Sequence, residues 1–208
     1  MLRPLLTAIA LSLTLASCAG EAVWAPDEAV ERVRYRDPGP AKLTLFTMIN
    51  NDTGNGGHSS LMINGSQRVI FDPAGSLSHP EIPERNDVIF GVNPMIEDLY
   101  TRYHARETWH VIIQEIEVSP EVAELALRKA MAAGPIAPAY CANSTSSILQ
   151  DLPGFQSIPV TFSPVKLSQE FRKIAGVSEQ VLHEYDSDDK ETALRAWNPA
   201  EYKASQGR

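Results

Sequence analysis

The chain has 208 residues and an acidic balance, with 18 Lys and Arg against 26 Asp and Glu and a formal net charge of −8. This sign of charge argues against the broad cationic surface that nucleic-acid-binding domains carry, so nucleic acid is not an expected partner. The hydrophobic share of 43% is that of an ordinary globular protein, and the length fits one domain with tails.

The first 18 residues predict a secretory signal. Arg3 precedes an almost wholly apolar run over residues 5–15, which is too short for a membrane-spanning helix. Small residues then lead directly to Cys18. This spacing resembles a bacterial lipoprotein signal. The resemblance implies that Cys18 becomes the lipidated N-terminus, and that Ala19 directs the protein to the periplasmic face of the outer membrane.

Composition divides the remaining chain into three parts. Residues 19–41 are rich in Ala, Glu, Pro and Arg, and we interpret them as a tether with at most one short helix. The globular domain is predicted over residues 42–175. An acidic tail that is exposed to solvent is predicted over residues 176–208.

Strand and helix patterns alternate within the predicted domain, which indicates an α+β fold. Period-two or continuous apolar runs predict strands over residues 42–48, 58–63, 68–72, 87–92, 108–118 and 158–162, with a hairpin at Asn64-Gly65. Helix signals occur over residues 93–107, 119–133, 141–152 and 164–175. The clearest is Ser119-Pro120-Glu121, which combines an N-cap serine with proline at the first helical position.

Cys141 is the first residue of its predicted helix. A thiol at a helix N-terminus has a lowered pKa, which favours the nucleophilic thiolate. Cys141, Thr145, Ile148 and Leu152 share one face of that helix, so the thiol is expected on the side that packs inward. If Cys18 carries lipid, Cys141 has no disulfide partner within the chain. A free thiol in a secreted protein indicates either reactivity or inert burial.

His58 follows the Gly-rich loop over residues 50–57 and begins a predicted strand, which would place its ring at the end of a sheet. The other histidines, His79, His104, His110 and His183, lack a comparable setting. None of them has the close spacing of metal-ligand pairs, so no metal or other cofactor is expected.

The order Gly57-His58-Ser59, a hairpin ending in Phe71-Asp72-Pro73, and a much later Tyr140-Cys141 helix resembles the circularly permuted papain-like fold. That superfamily includes permuted NlpC-like amidases and the lecithin retinol acyltransferase group. The resemblance covers residues 43–175. It implies that Cys141 is the nucleophile, that His58 is its base, and that Asp72 orients the imidazole.

The hairpin register decides the role of Asp72. A two-residue turn at Asn64-Gly65 would put Asp72 on the face opposite His58, whereas a loop one residue longer would align the two. We predict the longer loop. Gln114, on a later strand, is the alternative third member.

Two neighbouring residues depart from the family pattern. Ser59 stands where many relatives have a small apolar residue, and Tyr140 stands where many have asparagine. Both are candidates for contacts with substrate or oxyanion; Tyr140 is expected mainly to wall the cleft. The backbone N–H of Cys141 is the main expected oxyanion donor.

These features predict a lipid-anchored cysteine hydrolase of the cell envelope that cleaves an amide, with cell-wall peptide as the first expected substrate. An acyl-lipid esterase or acyltransferase of the same fold is the first alternative. A catalytically inactive papain-like binding or scaffolding lipoprotein, with Cys141 merely buried, is the alternative from another class. The sequence does not specify an oligomeric state.

Overall fold

The computed structural model describes residues 20, 22–75 and 77–206. The predicted signal, Cys18 and its lipidation lie outside the described residues. Within them, no helix combines the length and the apolar character needed to cross a membrane.

The fold is α+β, as predicted, and is built on an open antiparallel sheet of seven strands in the order β4-β5-β3-β2-β1-β6-β7. The strands are β1 (Lys42–Asn50), β2 (Gly56–Asn64), β3 (Arg68–Phe71), β4 (Glu84–Arg85), β5 (Val88–Ile89), β6 (Trp109–Glu117) and β7 (Ser178–His183). The helices are α1 (Asp27–Arg32), α2 (Pro94–His104), α3 (Pro120–Ala132), α4 (Cys141–Gln150), α5 (Pro164–Phe171), α6 (Glu191–Ala196) and α7 (Pro199–Gln206).

Helices cover both faces of the sheet. Phe46 of β1 packs against the ring of Tyr100 in α2, with ring centroids 5.4 Å apart. Gln114 of β6 points to the opposite face, where its side-chain amide donates to the backbone carbonyl of Ser168 in α5. The central strands are therefore buried on both sides, which explains why residues 43–49 of β1 are all buried and do not alternate with exposed residues.

The N-terminal segment was expected to be a tether, and from residue 22 onward the structure contradicts this. Val30 and Val33 are buried in the main hydrophobic core. The backbone N–H of Ala25 donates to the carbonyl of Glu84 in the edge strand β4, at 2.9 Å. Proline-rich composition suggested an extended linker, but two buried valines anchor the segment to the sheet.

The C-terminal segment is likewise not a solvated tail. Its strand β7 pairs with β6 along six residues, from His110 opposite His183 to Glu115 opposite Ser178. Trp197, beyond α6, packs against the core. The surface of this segment is acidic and its strand is mostly exposed, so its composition alone resembles that of a tail.

The strand predicted over residues 158–162 is not formed. This segment is irregular and is held by side chains of α4. Ser146 Oγ accepts from the N–H of Thr161 at 3.0 Å, and the Gln150 amide donates to the carbonyl of Ile158 at 3.0 Å. These bonds to α4 occupy backbone groups that a strand would have used in a sheet ladder.

Candidate active site

The turn before Cys141 sets the start of α4. Gly134 and Ala139, both in the connection between α3 and α4, adopt positive φ, at 71° and 70°. Alanine rarely occupies this region, so the turn carries local strain next to the thiol. Cys141 then begins the helix with only 7% of its surface exposed. As predicted, Thr145, Ile148 and Leu152 are buried on the same face.

His58 is placed by a bulge in the pairing of β1 and β2. His58 pairs with Met48, but the next residue of β1, Ile49, pairs with Gly56, so that Gly57 is the extra residue. Bulges of this kind re-aim neighbouring side chains and are common beside active sites. The His58 side chain is 16% exposed.

The loop between β2 and β3 has three residues, as the longer-loop prediction required, but it lies one position further along the chain. Asn64 pairs with Arg68, and Leu61 with Phe71. Continuing this register aligns Asp72 with Ser60 and not with His58, so the predicted direct pairing is wrong. Since Ser60 and His58 lie two residues apart on β2, Asp72 still shares a face with His58.

The three predicted catalytic side chains are in contact. His58 Nε2 lies 2.6 Å from Asp72 Oδ1, and Asp72 is 2% exposed. The His58 side chain also has a hydrogen bond to Cys141. Because Asp72 occupies Nε2, Nδ1 is the ring nitrogen left for the thiol. The imidazole therefore bridges a buried carboxylate and the thiol.

Charge within this group favours the ion-paired form. Burial by itself would lower the pKa of His58, but the charge of Asp72, its hydrogen bond and the bond to Cys141 raise that pKa to about 10. Burial would raise the pKa of Asp72, yet the nearby His58 holds it at about 2. At neutral pH the carboxylate is ionised and the ring is protonated.

The Cys141 thiol has a lowered pKa. Burial acts to raise it, and is outweighed by the hydrogen bond and positive charge of His58 and by the backbone N–H groups of Ser59 and Ala142. The lowered pKa favours the thiolate, which pairs with the imidazolium of His58. That is the form in which a cysteine acts as a nucleophile.

Tyr100 contacts the Asp72 carboxylate, and Ser60 contacts Tyr100. The Tyr100 hydroxyl lies 2.6 Å from Asp72 Oδ1 and 2.7 Å from Ser60 Oγ. A phenol has a single proton, which goes to the carboxylate, so the Ser60 hydroxyl donates to the phenol oxygen. Sequence reasoning missed both residues. Ser60 lies two residues after His58 and so shares its face, which was the available signal.

His104 was not predicted as a site residue, yet its ring stacks on that of His58 at a centroid separation of 6.0 Å. Its Nδ1 lies 2.8 Å from the carbonyl oxygen of Tyr100, so Nδ1 carries the proton. Burial lowers the pKa of His104 to about 3, which keeps the ring neutral. The spacing of Tyr100 and His104, four apart on a predicted helix, placed them on one face and could have indicated the pair.

Gln114 and Ser59 have different positions from those expected, whereas Tyr140 lies beside Cys141 as a wall. Gln114 bonds to Ser168 and Glu179, and no contact with His58 is found, so it is not the third member. Ser59 is fully buried and touches the sulfur through its backbone, so its hydroxyl does not contact substrate. Tyr140 is 47% exposed and stacks edge-on with Phe162, forming an aromatic wall beside Cys141.

A cleft of about 310 Å³ opens beside the imidazole. Its lining residues are Met48, Gly57, His58, Ala74, His104, Trp109 and Lys190. Three larger cavities lie elsewhere: one of about 860 Å³ around Trp24 and His79, one of about 480 Å³ around Arg106 and Trp197, and one of about 460 Å³ around Ile116 and Phe155. None of the three is lined by His58 or Cys141, and His58 is the catalytic side chain that lines the 310 Å³ cleft. In the described ranges, no three His, Cys, Asp or Glu side chains are grouped as metal ligands would be.

No family model, no curated protein and no solved structure matches this chain.

Proposed function

We propose that this protein is a cysteine hydrolase that cleaves an amide through Cys141, His58 and Asp72. The observation that carries the proposal is the imidazole of His58, which is bonded to a buried carboxylate through Nε2 and to the thiol on its other side. A merely structural cysteine does not need a charged partner. Burying three ionisable groups together costs folding free energy, and such clusters of perturbed groups are typical of functional sites.

The reaction begins with attack of the Cys141 thiolate on the substrate carbonyl carbon, which forms a carbon–sulfur bond. The carbonyl oxygen becomes negative. Since α4 begins at Cys141, the backbone N–H of this residue has no acceptor within the helix and is available to stabilise that charge. Losing one such donor raises a barrier by roughly 3 to 4 kcal/mol in related chemistry.

Collapse of this intermediate breaks the carbon–nitrogen bond. Nδ1 of His58 gives its proton to the departing amine, and an acyl-enzyme remains on sulfur. The now neutral imidazole takes a proton from water, whose oxygen attacks the acyl carbon. Breaking the carbon–sulfur bond releases the acid and restores the ion pair. Asp72 fixes the ring orientation throughout.

In fold terms, we propose a circularly permuted papain-like domain. The histidine strand β2 precedes the cysteine helix α4, and this order resembles that of the permuted NlpC-like amidases. The lipoprotein signal resemblance adds an envelope location, with the membrane reached through lipid on Cys18 and cell-wall peptide as the first candidate substrate. Acyl-lipid ester cleavage or acyl transfer is the second candidate, because the same dyad attacks esters.

The test uses the full chain purified in detergent, incubated with cell-wall peptide fragments and, separately, with long-chain acyl esters. Mass spectrometry follows new amine and acid products and any acyl adduct on the peptide containing Cys141. Turnover of the peptides that Cys141→Ser abolishes supports the amidase. Turnover of esters alone supports the acyl-lipid alternative. If no turnover and no acyl adduct are detected, the hydrolase proposal is overturned in favour of a binding module.

A further inference from the structure

The cleft beside His58 combines apolar walls with one cation. Met48, Ala74 and the Trp109 ring form the walls. Lys190, the residue that precedes α6, also lines the cleft. Gly57 allows the close approach of the ring: a Cβ at this position would lie 2.5 Å from a carbon of Trp109. The glycine therefore makes the indole itself one side of the cleft.

Lys190 is held in a defined position. Its Nζ lies 4.9 Å from the centroid of the Tyr103 ring, within the range of a cation–π contact. It is partly buried, and its charge interacts with Asp72 and with Arg106. An ammonium group has several N–H donors, so it can bind a carboxylate while keeping its contact with the ring.

Lys190 and the protonated ring of His58 are the cationic groups that line the cleft. The charge of the His58 ring is shared by Asp72 and the Cys141 sulfur, and His104 is uncharged, so attraction of an anionic group in the cleft depends on Lys190. Lys190 therefore adds a positive charge to the wall of a cleft in a chain whose net charge is −8. Attraction of an anionic substrate must come from this local charge, since the protein as a whole repels anions.

We propose that the cleft beside His58 is a substrate subsite, and that Lys190 there binds a carboxylate of the substrate. This rests on the proposed hydrolase function and adds its substrate class: an acyl compound or peptide that carries a carboxylate. Met48 and the Trp109 ring contact the apolar part of the same group. Lys190 is a specificity-determining residue and takes no part in the chemical step.

The test needs no knowledge of the natural substrate. Two alkylating probes of equal length are compared: N-iodoacetylglycine, which ends in a carboxylate, and N-iodoacetylglycinamide, which ends in a neutral amide. In both reactions the Cys141 sulfur forms a bond to the methylene carbon, and iodide leaves. Rates are measured on the full chain in detergent, on the peptide containing Cys141, at low ionic strength.

We expect the preference for the anionic probe to fall about three- to tenfold in Lys190→Met, the size expected for one partly screened charge contact. Lys190→Glu should reverse the preference, and Lys190→Arg should retain it. The neutral probe should react at the same rate in all variants, which shows that the fold and the thiolate are intact. Lys173→Met, an exposed lysine paired with Glu170, removes the same formal charge elsewhere and should change nothing.

The two proposals fail in different ways. If the neutral probe reacts rapidly but the preference for charge is the same in the wild type, Lys190→Met and Lys190→Glu, the carboxylate subsite is wrong and the hydrolase proposal survives. If neither probe labels Cys141 in the folded protein, the nucleophile is inaccessible and both proposals fail.

Discussion

The His58 ring lies between Asp72 and Cys141, and Asp72 reaches it diagonally across the β2–β3 hairpin: Nε2 and Oδ1 are 2.6 Å apart, although Asp72 aligns with Ser60 in the strand register. The carboxylate is almost fully buried. The charge of the ring, and with it the ionisation of the thiol, therefore depends on a residue that does not touch the sulfur.

Asp72→Asn should raise the pH at which Cys141 reacts. Removing the negative charge removes the main influence that raises the pKa of His58, so burial of the ring lowers it. The imidazole then becomes neutral at physiological pH and no longer stabilises the thiolate. The pH profile of alkylation of Cys141 measures this. The exposed Asp52→Asn is the matched control, and an Asp72→Asn profile identical to the wild type would contradict the role of Asp72.

Tyr100→Phe should weaken the site without abolishing it. The phenol donates to Asp72 and accepts from Ser60 in a fully buried position. Loss of a buried hydrogen-bonded hydroxyl is expected to lower the free energy of unfolding by about 1 to 3 kcal/mol. Urea unfolding measures the loss.

The control for this change is Tyr185→Phe, since Tyr185 is 85% exposed. Asp72 loses a donor in Tyr100→Phe, so its pKa should rise, and activity should begin to fall at a higher pH on the acid side than in the wild type. A Tyr100→Phe protein as stable as Tyr185→Phe would show that the phenol has no supporting role.

His104 should make the protein sensitive to acid. Its pKa is about 3 in the folded state against about 6.5 unfolded, so the unfolded chain binds the extra proton first as pH falls. Its contribution to stability is complete above pH 6.5 and is lost as pH falls towards 3, by at most about 1.4 kcal/mol per pH unit.

Unfolding by urea at several pH values between 8 and 4 measures this. We expect a flatter dependence on pH in His104→Gln than in the wild type, and no flattening in His183→Gln, whose exposed ring is the control. Parallel curves for His104→Gln and wild type would mean that His104 is not buried in its neutral form.

Local signals predicted much of the fold. Three features follow from residues close together in the chain: the N-cap bond that Ser119 Oγ accepts from the N–H of Val122, the inward face of α4, and strands β1 and β6. Whether Asp72 lies on the same face of the sheet as His58 is also a local matter, because it depends only on the number of residues in the hairpin loop. The fold beyond these elements depends on contacts between distant segments.

Those distant contacts account for the errors. Val30 and Val33 lie in a proline-rich segment, and their burial depends on a sheet edge some fifty residues further along. The segment over residues 158–162 has strand-like composition, but Ser146 and Gln150 take its backbone groups. His104 shares a helix face with Tyr100, but its stacking partner His58 is on another element, so the sequence around His104 did not show that it lies beside the catalytic imidazole.

The reactivity of Cys141 with iodoacetamide across pH tests the proposed ion pair most directly. The full chain in detergent is labelled between pH 5 and pH 9, and the peptide containing Cys141 is followed by mass spectrometry, with His58→Ala and, as control, His183→Ala. We predict rapid labelling of the wild type well below the ordinary thiol pKa of about 8.5, and labelling of His58→Ala that rises only as the pH approaches that value. A wild-type profile that matches His58→Ala, or no labelling of the folded protein at any pH, would contradict a thiolate–imidazolium pair.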